Sequence, residues 1–218
     1  MGNKKLSSLV LLSLSSALVL AACGGEGSTA DSSESAGANG SGQVLNLVES
    51  AEIPTMDSVQ ATDTVAFTAL SNVNEGLYRQ GLDGTVELGI AAEDPTVSED
   101  GLVYTFTIRD EANWSNGEPV TAADFVYSWR KLVDPASAAS YSYMMDGVIA
   151  NATEIMAGEV GPEELGVKAI DEKTLEITLT SPVPYFKDLL TLAMFFPQNQ
   201  AFVEEQGDQY ALSSDALL

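Results

Sequence analysis

The chain has a single cysteine, Cys23, which ends an N-terminal segment with the pattern of a cleaved leader. Residues 1–5 carry two lysines and no acid, residues 6–20 have no charge, and Leu20-Ala21-Ala22-Cys23 follows. This pattern predicts a secretory signal peptide over residues 1–22, with an apolar stretch shorter than the roughly 20 residues that span a membrane. Since the only thiol lies at the cleavage site, the exported chain must fold on a packed core without disulfides.

A cysteine at the cut resembles the lipobox of bacterial lipoproteins, in which the thiol is acylated and the cysteine becomes the new N-terminus. One lipid chain binds a membrane only marginally, and a diacylglyceryl group would supply the second. We therefore expect a lipid anchor at Cys23, on the outer face of the cell membrane in a Gram-positive cell or on the periplasmic side in a Gram-negative one. The alternative is an uncleaved signal anchor with an incidental cysteine.

Composition separates a linker from the folding part of the chain. Residues 24–42 contain no apolar side chain larger than alanine, so we expect residues 23–42 to be a flexible tether behind the acylated cysteine. Residues 43–218 are long enough for one or two domains. The net charge of −23 indicates a solubilising acidic surface and opposes binding to nucleic acid.

Hydrophobic periodicity predicts a mixed α/β fold. The predicted elements are a short strand at residues 44–48, a helix within residues 57–77, strands at residues 102–109 and 175–179, a helix that begins after Thr121 and ends before Pro135, and a buried helix at residues 187–196. Asp83-Gly84 predicts a tight hairpin turn with Gly84 at positive φ. Asn116-Gly117 predicts a second turn.

The sequence offers no catalytic or metal-binding pattern. It contains no histidine, which excludes Ser-His and Cys-His pairs and histidine-ligated metals. It also has neither a Walker A loop nor a G-x-S-x-G elbow. Acidic pairs such as Glu163-Glu164 are typical of solvated helix faces. We therefore expect a protein that is not an enzyme and that holds no cofactor and no metal.

Several separated motifs appear in an order that resembles one known family. They are Glu75-Gly76-Leu77-Tyr78, the strand ending in Arg109 with Trp114, Asn116-Gly117 and Asp124 after it, the segment DFVYSW at residues 124–129 with LVDP at 132–135, LGVKAID at 165–171, TLEITL at 174–179 and PVPYF at 182–186. This set is similar to the peptide- and nickel-binding family of substrate-binding proteins of ABC importers, and to its oligopeptide-binding branch in particular. We expect Trp114 and Trp129 to be core anchors.

The resemblance implies an α/β fold of the periplasmic-binding-protein type, in its large peptide-binding class. It implies that residues 43–74 and 200–218 form part of a first lobe and that residues 75–199 form a complete small lobe. The family's third lobe is missing from this chain, which therefore resembles an N-terminal portion. It also implies peptide contacts by Thr62, Asp63, Thr64 and Tyr141.

By the same resemblance, we expect a monomeric protein that captures oligopeptides and delivers them to the permease and ATPase subunits of an importer. We expect no measurable peptide binding by residues 43–218 alone, and micromolar or tighter binding by an extended protein. The alternatives are a peptide-pheromone receptor or signalling lipoprotein on the same fold, a nickel or haem carrier of the same superfamily, and, most distantly, an enzyme.

Overall fold

An antiparallel four-stranded sheet covered by one helix forms the centre of the molecule. The computed structural model describes Asn46 and residues 48–218. The predicted signal peptide, Cys23 and the linker to residue 42 lie outside the described residues, as does most of the strand predicted at residues 44–48. Residues 47–218 form one compact unit. No helix in this described part of the chain is both long enough and apolar enough to cross a membrane.

The fold combines short strands and helices with six turns of 3-10 helix. The strands are β1 (Tyr78–Gln80), β2 (Val86–Leu88), β3 (Thr96–Val97), β4 (Val103–Thr107), β5 (Val167–Ala169) and β6 (Thr174–Thr178). The α-helices are α1 (Thr64–Val73), α2 (Ala122–Val133), α3 (Ala152–Met156), α4 (Phe186–Leu189) and α5 (Gln200–Gln206). The 3-10 turns are Pro135–Ser137, Ser142–Met145, Pro162–Glu164, Ala193–Phe195, Gly207–Gln209 and Ser214–Ala216. The mixed α/β class predicted from periodicity is confirmed.

The sheet has the strand order β3-β4-β6-β5, and every neighbouring pair is antiparallel. Phe106 of β4 lies opposite Leu175 of β6, and both side chains are fully buried, as is Ile177 two residues further along. Because side chains alternate across a strand, one face of the sheet is apolar. The two strands predicted from alternation are therefore confirmed, the first within narrower bounds and the second shifted by one residue towards the N-terminus.

Helix α2 covers the apolar face and begins where its cap predicts. The Asp124 carboxylate accepts hydrogen bonds from the backbone N–H of Thr121 at 2.8 Å and from its hydroxyl at 3.0 Å. Phe125 and Trp129 are fully buried on the side of α2 that faces the core. The helix stops before Pro135, because proline and the residue before it disfavour helix continuation.

The predicted hairpin turn is also confirmed. Strands β1 and β2 pair as a hairpin, and Gly84 has φ +82°. Its N–H donates to the carbonyl of Gly81, and the N–H of Gly81 donates to the carbonyl of Thr85. This is a three-residue loop closed by a residue in the left-handed region, where glycine avoids the steric cost of a Cβ.

Two helix predictions need correction. Helix α1 spans only Thr64–Val73, because residues 57–60 form a turn in which the Asp57 side chain accepts from the N–H of Val59. Residues 187–196 do not form one helix. They divide into α4 and a 3-10 turn, and the carbonyls of Phe195 and Phe196 accept hydrogen bonds from α2.

Candidate functional site

A cleft with a volume of about 1060 Å³ lies in the described part of the chain. Its walls come from α1, the β1–β2 hairpin, the loops around residues 109–115 and 141–144, and the segment at residues 191–197. Gly76 packs against Phe196, a residue of the cleft wall, and a Cβ at this position would come within 2.9 Å of the Phe196 ring and of the Leu190 carbonyl oxygen. This close approach requires glycine.

Three aromatic side chains form a row along one wall. Phe67 of α1 meets Tyr141 edge-on, with ring centroids 5.6 Å apart, and Tyr141 lies 6.0 Å from Tyr143. Phe67 and Tyr141 are partly buried against the core, whereas Tyr143 is 59% exposed. The exposed ring offers an apolar face with a polar hydroxyl, a combination that suits ligands with both kinds of group.

Charges in the cleft are balanced even though the whole chain is strongly acidic. Arg109 donates to Glu75 at 2.7 Å, and Arg79 lies 3.9 Å from the same carboxylate and 3.0 Å from Glu87. The lining contains four charged residues, of which two are positive and two negative: Arg79, Arg109, Glu75 and Glu111. All of these ion-pair partners are partly exposed, so they remain accessible to a charged or polar ligand.

Trp114 lines the cleft and connects it to the start of α2. The indole N–H donates to the Asp124 carboxylate at 3.3 Å, and the turn predicted at Asn116-Gly117 is present, with Gly117 at φ +89°. Burial raises the pKa of Asp124 above its ordinary value, against hydrogen bonds from Thr121 and Trp114 that act in the opposite direction. The prediction for Trp129 as a core anchor is confirmed. Trp114 is only partly buried and faces the cleft as well as the core.

The structure separates the predicted peptide contacts into two places. Tyr141 lines the cleft. Thr62, Asp63 and Thr64 lie at the start of α1, outside the cleft lining, where the Asp63 side chain caps the helix by accepting from the N–H of Ala66. A contact between these three residues and a peptide stays a prediction. Cys23 lies outside the described residues.

Sequence reasoning missed two side chains and one ion pair that shape the cleft. Phe67 carried a helical periodicity that indicated only packing, and Tyr143 lies in the 3-10 turn Ser142–Met145, where the sequence shows no regular pattern. The pairing of Arg109 with Glu75 joins residues 34 positions apart in sequence. The alternation of the strand predicted at residues 102–109 placed Arg109 on the face opposite the core. This was the one sequence signal that Arg109 is available for contacts outside the core.

Residues 46 and 48–218 contain no group of three or more histidine, cysteine, aspartate or glutamate side chains placed to hold a metal ion. The chain contains no histidine, so the cleft holds no Ser-His or Cys-His pair. Its aromatic row, amide side chains and balanced charges are suited to noncovalent binding.

Comparison with known proteins agrees with this geometry. The sequence model of the family described as "Bacterial extracellular solute-binding proteins, family 5 Middle" matches residues 85–216. The oligopeptide-binding protein OppA of Bacillus subtilis is 36% identical over 221 residues, which cover 95% of this chain and 39% of that protein. A dipeptide-binding protein of Lactococcus lactis is 40% identical over 164 residues, 75% of this chain and 30% of that protein. The chain thus spans well under half the length of these relatives.

Solved structures of the same type superpose on most of the chain. Listeria monocytogenes OppA bound to peptide matches with a TM-score of 0.77 and 50% identity, over 79% of this chain and 34% of that one. The pheromone receptor PrgZ matches with a TM-score of 0.73 and 42% identity, over 76% and 32%. These likenesses confirm the expected fold type and the resemblance stated from the motifs. Because the family model covers more than half of the sequence, the chain belongs to family 5 of the bacterial extracellular solute-binding proteins.

Proposed function

We propose that the chain is part of the lipid-anchored substrate-binding component of an ABC importer that captures oligopeptides outside the cell. Family membership makes it a binding protein and not an enzyme. The relatives named above are oligopeptide-, dipeptide- or pheromone-binding proteins. Since the chain covers only about a third of their length, its ligands and partners are proposals for the whole protein.

One observation carries the proposal: the cleft lies within the part of the chain that matches these peptide-binding relatives, and its lining is neutral. A peptide carries charges of both signs together with polar backbone groups and varied side chains. Arg109 and Glu75 provide both signs at one point of the wall, and Tyr141 and Tyr143 provide apolar faces nearby. Because its charged residues balance, the lining itself adds no preference for peptides of one net charge.

Peptide capture on this fold needs no covalent chemistry. Main-chain hydrogen bonds to an extended peptide are indifferent to its side chains, and bridging water accommodates groups of different size. We propose that binding closes the lobes around the peptide and that a permease with its ATPase subunits recognises the closed form. We assign residues 43–74 and 200–218 to one lobe and residues 75–199 to the other, and we expect a monomer.

Calorimetry with a mixed tri- to octapeptide pool tests peptide binding. Residues 43–218 alone should give no measurable heat, because a single wall leaves most of a peptide hydrated. The same residues should bind at micromolar Kd or tighter in a chimera that takes the remaining sequence from the OppA of Bacillus subtilis. Within the chimera, Tyr141→Ala should weaken binding about tenfold, equivalent to about 1.4 kcal/mol. Tyr185→Ala, at an exposed tyrosine outside the cleft lining, should leave binding unchanged. Equal effects of the two substitutions on peptide affinity would contradict the proposal that the peptide binds in this cleft.

The lipid anchor is a separate part of the proposal, motivated by Leu20-Ala21-Ala22-Cys23. Mass spectrometry of the mature protein should find a diacylglyceryl cysteine at its N-terminus. Cys23→Ser should release the protein from membranes or leave the signal unprocessed. A mature protein that starts elsewhere and keeps a free thiol would contradict the anchor and leave the peptide-binding proposal intact.

A signalling role is the second candidate, favoured by the 42% identity to the pheromone receptor PrgZ. The two roles differ in ligand spectrum. A broad mixture of peptides bound with similar affinity supports nutrient import. One peptide bound far more tightly than the rest of the pool supports signalling.

A further inference from the structure

Three polar side chains from distant parts of the sequence form a closed ring behind the cleft. Lys131 of α2 donates to Asp57 Oδ2 at 2.9 Å and to Gln198 Oε1 at 3.0 Å. Gln198 Nε2 closes the ring by donating to Asp57 Oδ1 at 2.7 Å. The ring therefore joins the turn before α1, the helix that covers the sheet, and the segment that follows the cleft wall.

The ring is buried and its hydrogen bonds are well satisfied. Asp57 is 6% exposed and Gln198 1% exposed, and the Lys131 side chain retains only 20% of its accessible surface. The Lys131 ammonium also lies 5.1 Å from the ring centroid of Tyr210. A buried charge is costly when its partner is missing, so these three side chains strongly favour one relative arrangement of the segments that carry them.

The turn at Asp57 is also connected to two members of the aromatic row, Phe67 and Tyr141. The Asp57 carbonyl accepts from the N–H groups of Gln60 and Ala61, which makes the turn compact. The Gln60 amide donates to the carbonyl of Ser137 at 2.8 Å, in the loop that leads to Tyr141. The same turn leads directly into α1, which carries Phe67.

Helix α1 packs mainly on a small apolar cluster beside the main core. Its fully buried side chains, Ala66 and Leu70, belong to this cluster, which is completed by Ala61, Ala193 and Phe196. Phe67 also packs against the main core, which lies between α2 and the sheet. Because both fully buried side chains of α1 lie outside the main core, its polar connections contribute to its exact placement.

We propose that Asp57, Lys131 and Gln198 are positioning residues that hold α1 against the loop of Tyr141, so that Phe67 meets Tyr141 in the cleft. None of the three lines the cleft. They act through the backbone of the turn and through α1. This inference deepens the proposed function. Its consequence for peptide affinity rests on that function, whereas the placement of α1 does not.

The test compares Lys131→Met with Lys187→Met in the full chain. Lys187 is a matched control, because its ammonium also pairs with an aspartate, at 2.7 Å, and lies 5.5 Å from a tyrosine ring centroid, but at an exposed site. In Lys131→Met, amide hydrogen exchange in β4 and β6 should accelerate only as far as the loss of global stability requires. The amides of α1 should lose nearly all of their protection and exchange within about tenfold of the unprotected rate. The NMR cross-peaks between the Phe67 and Tyr141 rings should weaken. Both signals should match wild type in Lys187→Met.

Asp57→Asn gives a second variant, which keeps the shape of the side chain, removes its charge and turns one acceptor oxygen into a donor. It should produce the same local pattern in α1 with a smaller amplitude. Protection of α1 that falls only in proportion to that of β4 and β6, with ring cross-peaks retained, would mean that the ring only contributes global stability, and would overturn the inference. Unchanged exchange in α1 would overturn it as well.

Peptide binding is measured separately, in the Bacillus subtilis chimera described above. Weaker binding of the tri- to octapeptide pool by Lys131→Met than by Lys187→Met supports the link from α1 to the cleft, and equal binding contradicts that link. A wild-type chimera that binds no peptide would refute the proposed function, while the exchange and cross-peak results would still decide the placement of α1.

Discussion

Two lysine–aspartate pairs in this molecule have almost the same geometry and very different surroundings. Lys131 and Asp57 are 2.9 Å apart, Lys187 and Asp94 are 2.7 Å apart, and each ammonium lies over a tyrosine ring. The first pair retains 20% and 9% of its side-chain surface, the second 41% and 70%. Equal distances therefore do not imply equal energies, because water screens the second pair.

The pairs also differ in what they connect. Asp94 accepts a hydrogen bond from the hydroxyl of Tyr78, the first residue of β1. The exposed pair therefore contacts the β1–β2 hairpin, whose shape is set by its own turn. Both pairs join residues far apart in sequence, 93 positions for the exposed pair and 74 for the buried pair of Lys131 and Asp57, but only the buried pair completes a buried ring, with Gln198. The hairpin next to the exposed pair is held by its own backbone turn, whereas the segments around the buried pair are held by the polar ring.

The largest expected effect is on global stability. Lys131→Met should lower the free energy of unfolding by about 3 kcal/mol, because it leaves the Asp57 carboxylate buried without its cation. Lys187→Met should cost less than about 1 kcal/mol. Urea denaturation of both variants measures the difference, and equal losses would erase the distinction between the pairs.

The next largest expected effect is the coupling free energy measured when both charges of the buried pair are removed together. Asp57→Asn combined with Lys131→Met should be less destabilising than the sum of the single changes, by on the order of 1–2 kcal/mol, because neither charge is then left unpaired. The same denaturant melts give this coupling. For Asp94→Asn with Lys187→Met, the coupling should stay within about 0.5 kcal/mol.

A backbone change should matter more than the ion pair in the exposed region. Gly84→Val should destabilise by about 1 kcal/mol or more, because valine at φ +82° is strained although space around the Cβ position is open. Leu82→Val, at the fully exposed tip of the same loop, is the control and should change stability by less than about 0.5 kcal/mol. A neutral Gly84→Val would contradict the role assigned to the turn.

The smallest effect is a pH dependence at Asp94. Hydrogen bonds from Lys187 and Tyr78 hold the pKa of Asp94 below its ordinary value of 3.8. The unfolded chain thus takes up this proton first as pH falls, and the stabilisation present above pH 3.8 is lost as pH drops through the lowered pKa. Asp94→Asn should make the fall in stability between pH 5 and pH 2 shallower, by less than about 1 kcal/mol. Glu93→Gln, at the exposed neighbour, is the control, and an equal flattening there would remove Asp94 as the cause.

The sequence predicted those parts of the fold that depend on local pattern. The alternation of β4 and β6, the cap of α2 at Thr121, and the turns at Gly84 and Gly117 are each set by a few consecutive residues. Motif order also predicted the family, because it combines many such local patterns.

Long-range contacts account for the rest. Residues 187–196 are apolar enough for one helix, but they divide into α4 and a 3-10 turn, whose end is tied to α2 by hydrogen bonds from Ser128 and Trp129 to the carbonyls at 196 and 195. The row from Phe67 to Tyr143 and the pairing of Arg109 with Glu75 likewise depend on residues far apart in sequence. Periodicity carries no information on such pairs, so the cleft could be anticipated only through the resemblance, at Tyr141.

Photo-crosslinking tests most directly whether this cleft holds the peptide. A tripeptide with a diazirine side chain is irradiated with the Bacillus subtilis chimera, and the labelled residues are mapped by mass spectrometry. We predict labels at Tyr141 and Tyr143 that an excess of unmodified peptide abolishes. Labels confined to surfaces away from the cleft, such as those around Val97 or Ile170, would contradict the account.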